Sequence, residues 1–218
     1  PGLTNRLLAR VVQAAAVTFD STRAFFGAKA FVSGNPVRPE CFAASGPHQE
    51  LALDDRMSVT RVLVFGGSQG AHAINVAMVE AAHDLAASGS QLRVVHQTGE
   101  RDVEMVRSAY RRAGLQADVE PFLYDMGRHL GQADVIVCRA GATTLAEITA
   151  AGKAAVLIPL PTATDDHQRK NAEALGSAGA ADVLLQREMT APVLARRILT
   201  LVVDRDDERI AELPQRDH

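Results

Sequence analysis

Cysteine is nearly missing from this 218-residue chain, and the two present, Cys41 and Cys138, stand far apart without metal-ligand spacing. That usage argues against a disulfide scaffold and fits a reducing cytoplasm. Cys138 reads as a buried strand residue. No apolar run approaches the roughly 18 residues that a membrane span needs, and nothing at the start has the form of a signal peptide. One-sided charge is also lacking. The 23 basic and 26 acidic residues are interleaved and leave a net charge of −3, which argues against a nucleic-acid tract. No internal repeat of solenoid period occurs.

What is present is a 47% hydrophobic composition, enough core for one large domain or one domain plus part of another. The most informative stretch runs from Val135 to Glu147, VIVCRAGATTLAE. Four apolar, mostly β-branched residues lead through Arg139-Ala140-Gly141-Ala142 into Thr144-Leu145-Ala146-Glu147-Ile148, whose apolar spacing is helical. A buried strand therefore feeds a helix through a glycine turn. The first amides of such a helix have no internal partner, and the positive end of the dipole lies behind them, so phosphate is the natural guest. A second copy of the device lies upstream: Arg61 to Phe65 reads as a strand, Gly66-Gly67-Ser68-Gln69-Gly70 as a loop, and Ala71 onward as a helix. Two anion cradles on parallel strands suggest a nucleotide diphosphate. The loop is neither GxGxxG, because Ser68 occupies the second glycine's place, nor a P-loop, because no GK[ST] follows. The competing reading of either loop alone is a tight turn with no ligand.

The chain begins with a turn-like segment, an amphipathic helix from Arg6 to Val12, and two short strands, Ala14 to Phe19 and Lys29 to Ser33, around Ser21-Thr22-Arg23. These read as the last elements of a domain whose beginning is missing, so residues 1–38 are assigned to that tail. Gly34-Asn35-Pro36-Val37-Arg38-Pro39 reads as a stiff boundary turn. Residues 40–59 look polar and loop-like, giving a linker over 39–60. From Arg61 strands and helices alternate: strands at 61–65, 92–97, 118–121, 134–138 and 154–158, helices at 71–87, 100–113, 125–132 and 144–151. A helix over 167–178, a short strand over 180–185 and two terminal helices, 192–203 and 206–213, follow. The pattern implies an α/β fold, a Rossmann-like doubly wound parallel sheet, spanning 61–203, with 204–218 as a C-terminal helix. Ligands of such a sheet sit beyond the carboxyl ends of the strands.

Taken together, GNPVRPE (34–40), VFGGSQGAHAIN (64–75), HQTGE (96–100), PFLYDM (121–126), ADVIVCRAGATTLAEI (133–148) and DDHQRKNA (165–172) closely resemble the MurG family. That family transfers N-acetylglucosamine from UDP-GlcNAc to the muramoyl-pentapeptide carried on undecaprenyl diphosphate, in peptidoglycan synthesis. It has the GT-B architecture, two Rossmann-like domains facing across a cleft. The resemblance implies that this chain is the tail of the first domain plus the second, donor-binding one. It also implies that Arg38 and Ser68 contact the donor and that the Leu123 main chain reads the uracil edge. Ala142, Thr143 and Thr144 would hold the diphosphate, with Leu145 and Ala146 in the same run. Glu147 would take the ribose hydroxyls, and His167 with Gln168 the sugar end.

A carboxylate suits a ribose because its oxygens accept both hydroxyl protons, and Glu147 follows the cradle by about one helical turn. Its competing reading is a capping box, Thr144-x-x-Glu147. Arg38 has the alternative of a solvated surface charge. Asp165-Asp166-His167 offers metal-ligand types, but neighbours in one loop rarely converge on one ion. No metal or cofactor is expected, and no nucleic-acid partner.

The family's N-terminal glycine-rich loop and histidine are absent, so the catalytic base is expected outside these residues and the isolated chain is expected to be inactive. The implied partners are UDP-GlcNAc, the lipid-linked acceptor and, through the missing domain, the cytoplasmic face of the inner membrane, where the protein would sit peripherally. The implied chemistry is inversion at the anomeric carbon, with leaving UDP stabilised by helix N-termini. Competing readings are the donor-binding subunit of a two-chain transferase, a UDP-sugar epimerase of the same architecture and a non-enzymatic nucleotide-binding module.

Overall fold

Aliphatic residues, mostly valine, at 62–64, 94–95, 135–137 and 156 supply the strands of the main sheet. The computed structural model describes residues 3–18, 20–43, 59–67, 70–163 and 166–211. Ahead of the sheet come α1 (Leu3–Leu8), β1 (Ala15–Val17), α2 (Asp20–Phe26), β2 (Ala30–Val32) and α3 (Pro39–Ala43). β1 and β2 pair in parallel, Val17 opposite Val32. The first helix therefore lies earlier than its apolar pattern predicts, and α2 fills the connection around Ser21-Thr22-Arg23. α3 falls where the polar composition predicts a loop. Its Cys41 side chain is fully buried, and the helix packs against the later helices Met126–Gln132 and Ala142–Ala151. Residues 44–58, the rest of the expected linker, lie outside the described residues.

The sheet elements are β3 (Thr60–Phe65), α4 (His72–Ala87), β4 (Leu92–Gln97), α5 (Val103–Ala113), β5 (Gln116–Glu120), α6 (Met126–Gln132), β6 (Val135–Cys138), α7 (Ala142–Ala151), β7 (Ala154–Leu157), α8 (His167–Ser177), β8 (Asp182–Val183) and α9 (Ala191–Ala211). Six parallel strands lie in the order β5-β4-β3-β6-β7-β8. The chain winds outward from β3 through β4 to β5, then returns to place β6 on the other side of β3. That reversal is the topological switch point, where an open α/β sheet binds its ligands.

Alternate residues of each strand enter opposite layers, because side chains have a period of two along a strand. Val62, Val64, Val94, Val135, Val137 and Val156 pack under α4, α5 and α9. Leu63, Phe65, Ile136, Cys138, Ala155 and Leu157 pack under α6, α7 and α8, with Cys41 of α3 among them. Each fully buried large aliphatic side chain, such as Leu130, Ile148 or Ile198, contributes about 1.5–3 kcal/mol. The terminal region differs from its sequence reading, for α9 is one continuous helix in place of two. Its apolar residues Leu194, Ile198 and Val202 lie four apart and are buried against the sheet, so packing holds the first part of the helix.

Candidate functional site

β3 and β6 are neighbours, with Phe65 opposite Cys138, so the two glycine turns open side by side at the switch point. In the first turn, Gly70 has a φ of 72°, and a Cβ there would fall 1.9 Å from the Thr98 carbonyl oxygen. The Gly70 backbone thus rests on the end of β4 only because position 70 has no side chain. Gln97 adds a second tie, its Nε2 donating to the Gly67 carbonyl at 2.8 Å. Ser68, the expected donor contact of this loop, lies outside the described residues.

The second turn ends in Gly141, which occupies the N-cap of α7 and supplies no side-chain cap. The first intrahelical bond runs from the Leu145 amide to the Gly141 carbonyl, 2.9 Å. The amides of Ala142, Thr143 and Thr144 are therefore left without helical partners and point out of the helix end, where an anion is stabilised by both the donors and the dipole. Thr144 is the third residue of the helix rather than its cap, which removes the capping-box reading of Thr144 and Glu147. Leu145 is buried in the core beneath the turn and Ala146 follows it in the helix. Asn35 Nδ2 reaches Thr143 Oγ1 at 3.5 Å.

Glu147 is 7% exposed, and its partner is Arg38, whose Nε and Nη2 both lie 2.9 Å from Oε1. Two residues 109 positions apart are thereby joined into one ion pair at the base of the cradle, with Arg38 half exposed toward solvent. Arg38 is not a free surface charge. The pair leaves Oε2 of Glu147 without a partner among the described residues. Burial, with Glu147 as a second cause, pushes the neighbouring Cys41 thiol up from its ordinary pKa. Leu123 is buried between Phe122 and Tyr124, whose rings meet edge-on at 5.0 Å. The main-chain groups of Leu123 have no hydrogen-bond partner among the described residues. His167 opens α8, and Gln168 Oε1 accepts the Leu160 amide at 3.0 Å. The carbonyl end of Gln168 thus fixes the loop after β7, leaving its amino group as the end available to a ligand.

Residues 61–215 match the Glycosyltransferase family 28 C-terminal domain. The chain belongs to glycosyltransferase family 28. Among its curated relatives, one from Pelobacter propionicus is 47% identical over 94% of this chain, which spans 58% of that protein's length. It is named UDP-N-acetylglucosamine--N-acetylmuramyl-(pentapeptide) pyrophosphoryl-undecaprenol N-acetylglucosamine transferase. The crystal structure of Acinetobacter baumannii MurG is similar with a TM-score of 0.73 and 33% identity, covering 99% of this chain and 61% of that one. These likenesses bear out the MurG resemblance and the GT-B fold class. A UDP-GlcNAc 2-epimerase from Neisseria meningitidis, bound to UDP-GlcNAc, has a TM-score of 0.61 at 12% identity over 96% of this chain and 58% of its own. That last likeness shows the fold alone.

Within this family 28 domain, sequence reading missed a buried polar chain behind the first glycine loop. Asn75, in the first turn of α4, donates through Nδ2 to the Thr98 carbonyl at 2.9 Å and to Asp102 Oδ2 at 2.8 Å. Both are acceptors, so Oδ1 of Asn75 must face His96 Nε2, 3.0 Å away. That nitrogen must carry the hydrogen, and Nδ1 then accepts from the Tyr110 hydroxyl at 2.8 Å. His96 is neutral, burial having taken its pKa down to about 3. Asp102 also pairs with the half-exposed His72 at 2.8 Å; burial pushes the carboxyl up, but the hydrogen bonds from His72 and Asn75 outweigh this and hold it below its ordinary value. The only hint in sequence was the run of polar residues at a strand end, HQT at 96–98. The sequence marks Arg139 only as part of the turn.

Proposed function

We propose that the chain is the donor-binding half of a transferase that moves N-acetylglucosamine from UDP-GlcNAc to undecaprenyl-diphosphate-linked muramoyl-pentapeptide. The observation that carries this reading is the spacing of two features on α7. Three amides without helical partners open its first turn, and one turn further on stands a carboxylate already oriented by Arg38. A nucleoside diphosphate offers the matching pair, an anion to the amides and ribose hydroxyls to the carboxylate. Leu123 supplies main-chain groups for the uracil edge, Ser68 a contact from the first loop, and His167 with Gln168 the sugar end. Residues 61–203 are then the donor domain, with the rest of α9, to Ala211, continuing it. Residues 1–38 belong to the acceptor domain, and the connection runs through 39–60.

The chemistry this assembly performs is leaving-group stabilisation. As the acceptor hydroxyl attacks the anomeric carbon and the bond to the diphosphate breaks, charge grows on the UDP oxygens, and donors preorganised at the α7 terminus meet it without rearrangement. The acceptor is anchored in lipid, so the whole enzyme works at the cytoplasmic face of the membrane. Among the described residues no helix is long and apolar enough to cross one. Calorimetric titration of the chain with UDP-GlcNAc tests the donor assignment. Saturable heat is expected, together with no transfer to a lipid diphosphate acceptor by this chain alone. Absence of heat at millimolar ligand overturns the assignment.

A further inference from the structure

Arg139 is a partly buried cation with no counter-charge among the described residues. Its Nη1 donates to the carbonyls of Ile158 and Pro159 at 3.1 and 3.3 Å, and its Nη2 to Gln186 Oε1 at 2.7 Å. All three acceptors are neutral. Arg38, Arg93, Arg107, Arg169 and Arg197 each pair with a carboxylate, whereas no carboxylate among the described residues lies within ion-pair distance of Arg139. Burial is the sole cause shifting its guanidinium, and it shifts it downward, against the charged form. A desolvated charge answered only by carbonyl dipoles is an unfavourable arrangement for a folded protein to keep. It becomes favourable once an anion arrives nearby.

The position says which anion. Arg139 stands between the end of β6 and the first open amide of α7, three residues ahead of Ala142. Its side chain crosses to the end of β7, whose next loop residue, Leu160, is the one held by Gln168. We propose that Arg139 is a positioning residue of the diphosphate cradle: it ties the ends of β6 and β7 together and holds behind the α7 amides a positive charge whose counter-ion is the diphosphate of the nucleotide. The proposal rests on the UDP-sugar reading of the site. A planar guanidinium is the side chain suited to both parts, since its fork reaches several carbonyls at once while keeping its charge.

The test is the affinity of UDP against that of uridine, which lacks the diphosphate, for the parent chain and for Arg139→Gln and Arg139→Lys. The Gln variant is expected to weaken UDP by about tenfold or more, because the positive charge behind the diphosphate is lost, while uridine stays within about twofold. The Lys variant, which keeps the charge, is expected to hold UDP within about threefold of the parent. A Gln variant that binds UDP like the parent, or one in which UDP and uridine weaken in the same proportion, overturns the proposal, because a purely architectural role lowers both. If the Gln variant does not fold, the Lys variant decides: about tenfold loss of UDP with uridine unchanged contradicts a role for the charge. A parent chain that binds no UDP overturns the donor-site reading itself, and this proposal with it.

Discussion

Glu147 meets Arg38 through Oε1 alone, so its pairing role and its proposed ribose role separate experimentally. Exchanging it for Gln keeps the shape but turns an acceptor into a donor and removes the charge. UDP affinity, measured by titration, is expected to fall by about 1.5–3 kcal/mol, the range of a hydrogen bond to a charged group. Thermal unfolding of the same variant is expected to change by about 1 kcal/mol or less, because the Arg38 partner is half exposed and such pairs contribute little. His96 gives a second prediction at this scale. Its pKa is about 3 in the folded chain against an ordinary 6.5, so between those values the unfolded chain binds one proton more than the folded one. The stability present above about pH 6.5 is therefore lost progressively as pH falls toward about 3, by up to about 1.4 kcal/mol per pH unit. Denaturant unfolding at about pH 7 and about pH 5 should show that slope in the parent. In His96→Gln it should flatten. The cradle was legible because strand, glycine and helix follow one another within Val135 to Glu147. The partner of Glu147 was not, since nothing in local periodicity links it to a residue 109 positions away. The same holds for His96, which strand alternation turns inward, and for Asn75, which lies on the buried face of its helix, since neither pattern says what they meet.

Elements place these residues by close approach. Gly70 rests on the end of β4 with no room for a methyl group, and its backbone is left-handed. Gly70→Ala is expected to destabilise the fold by about 1–3 kcal/mol from the backbone conformation alone, with the collision against Thr98 adding to that. Chemical denaturation measures the loss, and a fall in UDP affinity is expected alongside it. The strands and their order of appearance were legible because a parallel sheet buried on both faces gives near-continuous apolar runs. Element ends were less so. α7 begins at Ala142 rather than at the threonine where its apolar spacing starts, because Gly141 caps the helix with its main chain alone. α3 escaped because five residues, three of them Pro39, Glu40 and Cys41, carry no period. Tertiary packing on α6 and α7 decides it.

At the scale of the molecule, the chain spans 58% of its relative from Pelobacter propionicus and 61% of the Acinetobacter baumannii protein. What we propose for the chain is accordingly a donor site rather than a complete active site. Uracil and cytosine differ at the edge that a main-chain amide and carbonyl read. Uracil presents an N–H beside a carbonyl, whereas cytosine presents an unprotonated nitrogen beside an amino group. A site that reads this edge through the Leu123 backbone, and the diphosphate through the α7 amides, must tell UDP from CDP, although the two carry the same phosphates. Side-by-side calorimetric titration of the chain with UDP and CDP is therefore the most direct measurement. UDP is expected to bind at least about tenfold more tightly, the cost of leaving a buried polar pair mismatched. Equal affinities, or no heat with either nucleotide at millimolar concentration, would contradict the account.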